Sequence, residues 1–342
     1  MTGIYRIRIR RRNELKRRIP ILSLVAVLML ALGLAACSSP TPTPTVTPNP
    51  QGTLTIFHAG SLAVPFQHLN EEFNKLYPDV KVEMESAGSR TTIRKVTELG
   101  RQADVIGSAD YAAIEQLMFP DYADWYVKFS INRMVIAYTD QSRYADEING
   151  DNWYEVLTRD GVEYGYADPN ADPCGYRTLM VFQLAEKHYG VPGLDDRLNE
   201  CCPESNIRPK AVELVNLLES GDLDYAFEYQ SVAVQHGLKY VTLPVEIDLS
   251  SVDQADFYSN AQVEVAGEEP GTTETYLGEP IFYGVTIPKN ALRADLAVVW
   301  VEFLLGPEGR AVLERDGQPA LVPALAKNIG NMPQELRALA QE

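Results

Sequence analysis

Thr53-Leu54-Thr55-Ile56-Phe57-His58-Ala59-Gly60-Ser61-Leu62, followed by the apolar-periodic Val64 to Tyr77, spells a strand, a small-residue turn and a helix. The apolar and β-branched residues 53–57 suit a strand, and Phe66, Leu69, Phe73 and Leu76 form one helical face. The unit repeats. Val80 to Met84 reads as a strand, Ser86-Ala87-Gly88-Ser89 as a turn, and Thr91 to Leu99 as a helix with Ile93, Val96 and Leu99 inward. Ala103 to Ser108 and Tyr111 to Met118 add a third strand and helix. This alternation implies an α/β fold on a parallel sheet, with ligands beyond the carboxyl ends of the strands. Both turns place a serine after a glycine at a helix start, where unpaired backbone N–H groups converge.

Further along, the hydrophobic strand Asn132 to Tyr138 marks a crossing into a second lobe. That lobe takes Tyr154 to Leu157, a helix after residue 177, a helix at Ala211 to Leu218, the strand Tyr225 to Tyr229, the helical Ser231 to His236 and Tyr240 to Leu243. Thr275 to Ile287 returns to the first lobe, which ends with helices at Ala294 to Leu305 and Glu308 to Arg315. The expected division is residues 53–134 and 281–342 for lobe 1 and 135–280 for lobe 2. Two crossings between α/β lobes are what a hinge needs.

Residues 1–36 read as a targeting signal: a basic run to Arg18, an apolar run from Ile19 to Leu34, and small residues before Cys37. This resembles a lipoprotein signal, with lipid on Cys37 and the globular part outside the cytoplasmic membrane. Residues 37–52, with their Thr/Pro alternation, read as an extended tether. The formal net charge is -17, although the first 36 residues are basic, so the folded part is more acidic still. Such a surface argues against nucleic acid or anionic lipid as partner, leaving the lipid anchor as the membrane contact. Any anion site must then work through local, desolvated hydrogen bonds. Beyond Cys37 the cysteines are Cys174, Cys201 and Cys202, an odd number whose pairing the sequence does not choose. No C-x-x-C or H-x-x-x-H spacing occurs, so no structural zinc is expected.

Ala167-Asp168-Pro169-Asn170-Ala171-Asp172-Pro173-Cys174-Gly175-Tyr176-Arg177 is a tight loop feeding a helix, a geometry that suits an anion although it carries two carboxylates. Together with Phe57 to Leu62, Ala87-Gly88-Ser89, Ala103-Asp104-Val105, Gly221 to Tyr225, Ser231 to His236 and Leu243 to Ser250, it resembles the tungstate/molybdate-binding proteins of ABC importers, in their archaeal-type group. The resemblance implies a two-lobed type II periplasmic-binding-protein fold that closes on an oxyanion and delivers it to a membrane permease. It implies ligand contacts from Gly60, Ser61 and Ser89 in the first lobe, and from Asp172, the backbone at Pro173 and Cys174, and Tyr229 in the second. It further implies that Asp172 bonds the metal of the oxyanion directly, expanding its coordination. Relatives of this type carry a Glu three residues after the Arg of a segment matching Arg208-Pro209-Lys210-Ala211, where this chain has Ala211. Glu228, beside Tyr229, is the candidate replacement carboxylate.

Each residue has a plainer reading. Asp172, Ser61 and Ser89 are good helix caps, and residue chemistry alone favours the cap for Asp172. Glu228 in a short strand is ordinarily solvent-facing, and Tyr229 is a core residue whose hydroxyl needs a partner. Arg177 suits pairing with an acid elsewhere as well as an anion clamp, so it stays outside the primary site. His58 and His236 read as structural, and Cys174 as acting through its backbone. A hydrolase would need a base and an orienting acid beside Ser61, and no G-x-S-x-G occurs. The alternative is a divalent transition-metal receptor using Asp172, Cys174, Glu228 and His236. The reading is of a monomeric binding protein with neither cofactor nor catalysis.

Overall fold

The computed structural model describes residues 50–267 and 271–342. The signal segment, Cys37 and nearly all of the Thr/Pro tether lie outside the described residues. The chain opens with β1 (Gly52–Ala59), a 3-10 turn at Gly60–Leu62, α1 (Ala63–Leu76), β2 (Val80–Ala87), α2 (Ser89–Thr97), β3 (Val105–Ser108), α3 (Tyr111–Met118) and β4 (Tyr126–Ile131). It continues through β5 (Met134–Tyr138), α4 (Trp153–Leu157), β6 (Tyr164–Ala167), α5 (Pro173–Tyr189), α6 (Leu194–Cys201) and β7 (Ile207–Arg208). Next come α7 (Glu213–Ser220), β8 (Tyr225–Tyr229), α8 (Gln230–Gln235), β9 (Lys239–Thr242), α9 (Ala255–Tyr258), β10 (Gln262–Ala266) and β11 (Thr273–Leu277). The last elements are β12 (Phe282–Thr286), α10 (Ala294–Leu305), α11 (Pro307–Arg315), β13 (Ala320–Lys327) and β14 (Ala340–Gln341).

One sheet has seven strands in the order β14-β13-β4-β12-β3-β1-β2, and a second has five in the order β7-β6-β8-β5-β9. They are the centres of two lobes. The chain leaves the first sheet at Ile131 and enters the second at Met134, then re-enters the first at Phe282, whose Cα is paired with that of Ile131. The parallel expectation holds for β1 with β2 and β3, and parallel pairs recur for β6 with β7 and β8 and for β13 with β14, but β12 is antiparallel to both β3 and β4. The return strand starts at the end where β4 left, so it must run the other way.

Asn132 sits at that crossing. Its amide donates to Ser231 Oγ at 2.7 Å and to Tyr283 Oη at 3.1 Å, while its Oδ1 accepts from the Arg133 N–H at 3.0 Å. Phe66, Leu69 and Phe73 of α1 are buried, with Phe66 edge-on to Trp300 at 4.9 Å. Leu76 is 56% exposed, since ten residues beyond Phe66 is roughly 80° off that face. Leu99 is 70% exposed because α2 has already ended at Thr97. Residues 273–277 do not return to the first sheet; as β11 they pair with β10 in a separate ribbon. Gln183 of α5 ties that ribbon to the second lobe through reciprocal 2.9 Å bonds with the backbone of Gln262.

Candidate functional site

Both lobes send a strand-to-helix turn to one buried place. In the first, Gly60 follows β1, and an added Cβ there would lie 3.2 Å from Val212 Cγ2 of the second lobe. Ser61 is buried, and its Oγ accepts from the Tyr283 hydroxyl at 2.9 Å. Ser89 opens α2, and its Oγ accepts the Ala109 N–H at 2.9 Å. Neither serine caps its helix through its side chain. Each hydroxyl is fixed by an accepted bond, which leaves its own O–H to donate.

In the second lobe, Asp172 caps α5: Oδ1 accepts the Cys174 N–H at 3.0 Å, and Pro173 takes the first helical position. The cap reading of Asp172 is therefore realised. Its Oδ2 accepts the Ala211 N–H at 3.3 Å, so the position where archaeal-type relatives carry Glu lies against this carboxylate. Gly175 is required here, since a Cβ would overlap the Ala167 carbonyl oxygen. Burial pushes the Asp172 carboxyl up to about 6.

Glu228 is not solvent-facing, as a lone Glu in a strand would suggest; it is 0% exposed. Its Oε2 accepts the Tyr229 N–H at 3.2 Å, while Oε1 is buried without a partner. Burial, followed by repulsion from Asp172, drives its carboxyl well above the usual range. A buried polar atom left unpaired costs about 1–3 kcal/mol, which a suitable ligand relieves. The Cys174 thiol is buried, meets the Phe227 carbonyl at 3.6 Å, and is raised by burial and by both carboxylates, so it is inert.

Arg177, set aside on sequence grounds, stands at the centre. It donates to the Ala109 carbonyl and to Tyr229 Oη, both at 2.7 Å, and pairs with Asp110 at 3.3 Å. Burial opposes its charge, but Tyr229, Asp110 and Tyr176 outweigh burial and hold its pKa above the ordinary arginine value. Tyr176 donates to the other oxygen of Asp110. Ala109 thus joins Ser89 to Arg177, and Tyr283 joins Ser61 to the second lobe, its ring 5.8 Å from that of Tyr229. Of these additions, Arg177 carried a sequence signal, one helical turn past Asp172. Tyr283, Asp110 and Ala109 are distant in sequence and carried none.

The lobes are closed on the site. A Cβ on Gly88 would overlap the Ala171 carbonyl oxygen and lie 3.1 Å from Cβ of Asp172. His58 is not a base for Ser61: its Nδ1 faces the Ala59 carbonyl at 2.8 Å, and burial lowers it to about 4. His236 is exposed at the end of α8, and no cluster of three His, Cys, Asp or Glu side chains able to hold a metal ion occurs among the described residues. The divalent-metal alternative thus lacks its ligand set. A cavity of about 200 Å³ lined by Asn132, Arg133, Gln230 and Pro319 opens at the crossing, away from the carboxylates.

Two α/β lobes joined by crossing strands and shut over fixed donors define a receptor of the periplasmic-binding-protein class. Residues 54–318 match the family described as bacterial extracellular solute-binding protein, and the chain belongs to it. An uncharacterized solute-binding protein of Petrotoga mobilis is 53% identical over 84% of this chain and 89% of its own length. The molybdate/tungstate-binding protein WtpA of Pyrococcus abyssi is 43% identical over 84% of this chain and 90% of its own. Among solved structures, the periplasmic molybdate-binding protein of Azotobacter vinelandii superposes with TM-score 0.56 at 17% identity, covering 79% of this chain and 99% of that one, and shares the fold. No helix among the described residues is long and apolar enough to cross a membrane.

Proposed function

We propose that this chain captures tungstate or molybdate by closing its lobes, 53–134 with 281–342 against 135–280, and hands the oxyanion to the permease of an ABC importer. The observation that carries this reading is the unpartnered, buried oxygen of Glu228 beside Asp172. Two carboxylates next to a dianion repel it unless they are protonated or bonded to its central atom. Tungsten and molybdenum in these anions are hard centres that accept further oxygen ligands, whereas the sulfur of sulfate does not. Asp172 and Glu228 therefore reward the metal oxyanions and penalise sulfate.

Gly60, Ser61, Ser89, Cys174 and Tyr229 bind the oxyanion oxygens through hydroxyl and backbone donors, Pro173, which has no N–H, shapes the helix start against the ligand, and Arg177 holds Tyr229 in place. The 43% identity to a protein named for molybdate and tungstate supports the same ligand class. In this reading the protein is a monomer without cofactor or catalysis, held outside the cell membrane by lipid on Cys37, with residues 37–52 as tether. Calorimetric titration with tungstate, molybdate and sulfate tests it: the metal oxyanions should bind and sulfate should not. Equal binding of sulfate overturns the role given to the carboxylates.

A further inference from the structure

Helix α2 presents Ser89 to the site, and the two arginines behind it reach across the cleft. Arg90 and Arg94 are one turn apart and share a helical face. Arg90 is 0% exposed; it donates to Tyr276 Oη at 2.6 Å and to the Ala266 carbonyl, with Glu274 at 3.9 Å. Arg94 donates to the carbonyls of Ala266 at 2.9 Å, Gly267 at 3.0 Å and Asn170 at 3.2 Å. All these acceptors belong to the second lobe, in the β10–β11 ribbon or the loop before Asp172. The ribbon is braced behind them, since Asn170 Oδ1 accepts the Ala266 N–H at 2.9 Å and the Tyr276 ring lies 4.8 Å from Tyr176.

We propose that Arg90 and Arg94 are positioning residues for capture: a latch that fastens α2, and with it Ser89, to the second lobe and sets how long the ligand stays. The proposal rests on the reading that the lobes close on an oxyanion. The latch forms only on closure, so it acts on escape rather than arrival. It is also finely balanced. Arg90 Nε has no partner, so the cost of burying the guanidinium offsets part of what its bonds contribute. The latch therefore adds to the ligand's own bonds without shutting an empty cleft, and it discriminates among oxyanions no further, because neither arginine belongs to the proposed ligand contacts.

Stopped-flow measurement on the full folded chain with tungstate tests this. Arg90→Ala combined with Arg94→Ala is expected to raise the dissociation rate about 10–100-fold, leaving the association rate within about threefold and the preference for tungstate over sulfate unchanged. Tyr276→Phe, which removes one acceptor and keeps the ring, is expected to raise it about threefold to tenfold, and its effect should vanish in the Arg90→Ala background. Unchanged dissociation in both variants, or an altered oxyanion preference, overturns the latch. If the double variant does not fold, Tyr276→Phe decides alone. Small-angle scattering separates the two readings. A wild-type chain that is compact without ligand and blind to tungstate removes the oxyanion reading, and its expansion on Arg90→Ala retains a latch between lobes. One that is expanded and blind to tungstate removes both.

Discussion

Glu228 and Asp172 are two carboxyl groups held above their ordinary range by burial. Both folded-state values lie above the unfolded ones, so the folded chain holds more protons in the window between them. Their contribution to stability is present below about pH 4 and is lost as pH rises, through about 6 for Asp172 and through the raised value that burial gives Glu228. Thermal unfolding of the ligand-free protein should show a loss of up to ~3 kcal/mol from Asp172 between pH 4 and 7, reduced wherever opening of the cleft lets water in. Asp172→Asn should flatten that slope. Bonding to a metal centre requires the charged carboxylate, and burial favours the protonated form of both acids, so tungstate binding should release protons, read by calorimetry in buffers of different ionisation enthalpy. Proton uptake would mean that the acids donate hydrogen bonds to the oxyanion instead. Glu228→Gln keeps the shape and removes the ligand oxygen: tungstate affinity should drop about a hundredfold, or ~2.7 kcal/mol, while sulfate affinity rises.

Helix α2 and the Gly88 turn belong to the scale of the element. Gly88 has φ −58° and ψ 145°, values that alanine adopts readily, so Gly88→Ala does not strain the open protein. Its added methyl meets Ala171 only when the lobes close. The variant should unfold within about 1 kcal/mol of the wild type yet lose tungstate binding by calorimetry, and retained affinity would show that closure is not needed. Local structure was legible because it is local. The β1 and β2 units and the Asp172 cap follow from periodicity and turn chemistry within a dozen residues. The β10–β11 ribbon escaped because pairing across residues 262–277 depends on where the loop packs, which residue spacing does not encode.

For the whole molecule, the net charge of -17 acts against a dianionic ligand at long range. Salt screens that repulsion, so the tungstate association rate should rise severalfold between about 0.02 and 0.2 M ionic strength. The dissociation rate should change little, since the bonds in the closed site are buried. A rate that falls with salt would reveal a local positive field at the cleft mouth.

The sequence by itself determined the strand–turn–helix units, the crossing near Asn132, the acidic surface, and the loop that sets Asp172 at the head of α5. Each of these is a matter of neighbours along the chain. Only the tertiary structure decided that Glu228 is buried with an oxygen unpaired and that Arg177 ties Tyr229 to Ala109 and Asp110. It likewise turned the two serines to Tyr283 and Ala109 rather than to their own helices, and ran β12 antiparallel. Those outcomes depend on which distant segments meet when the lobes close. Burial and long-range pairing are set by that meeting, and residue spacing does not contain it.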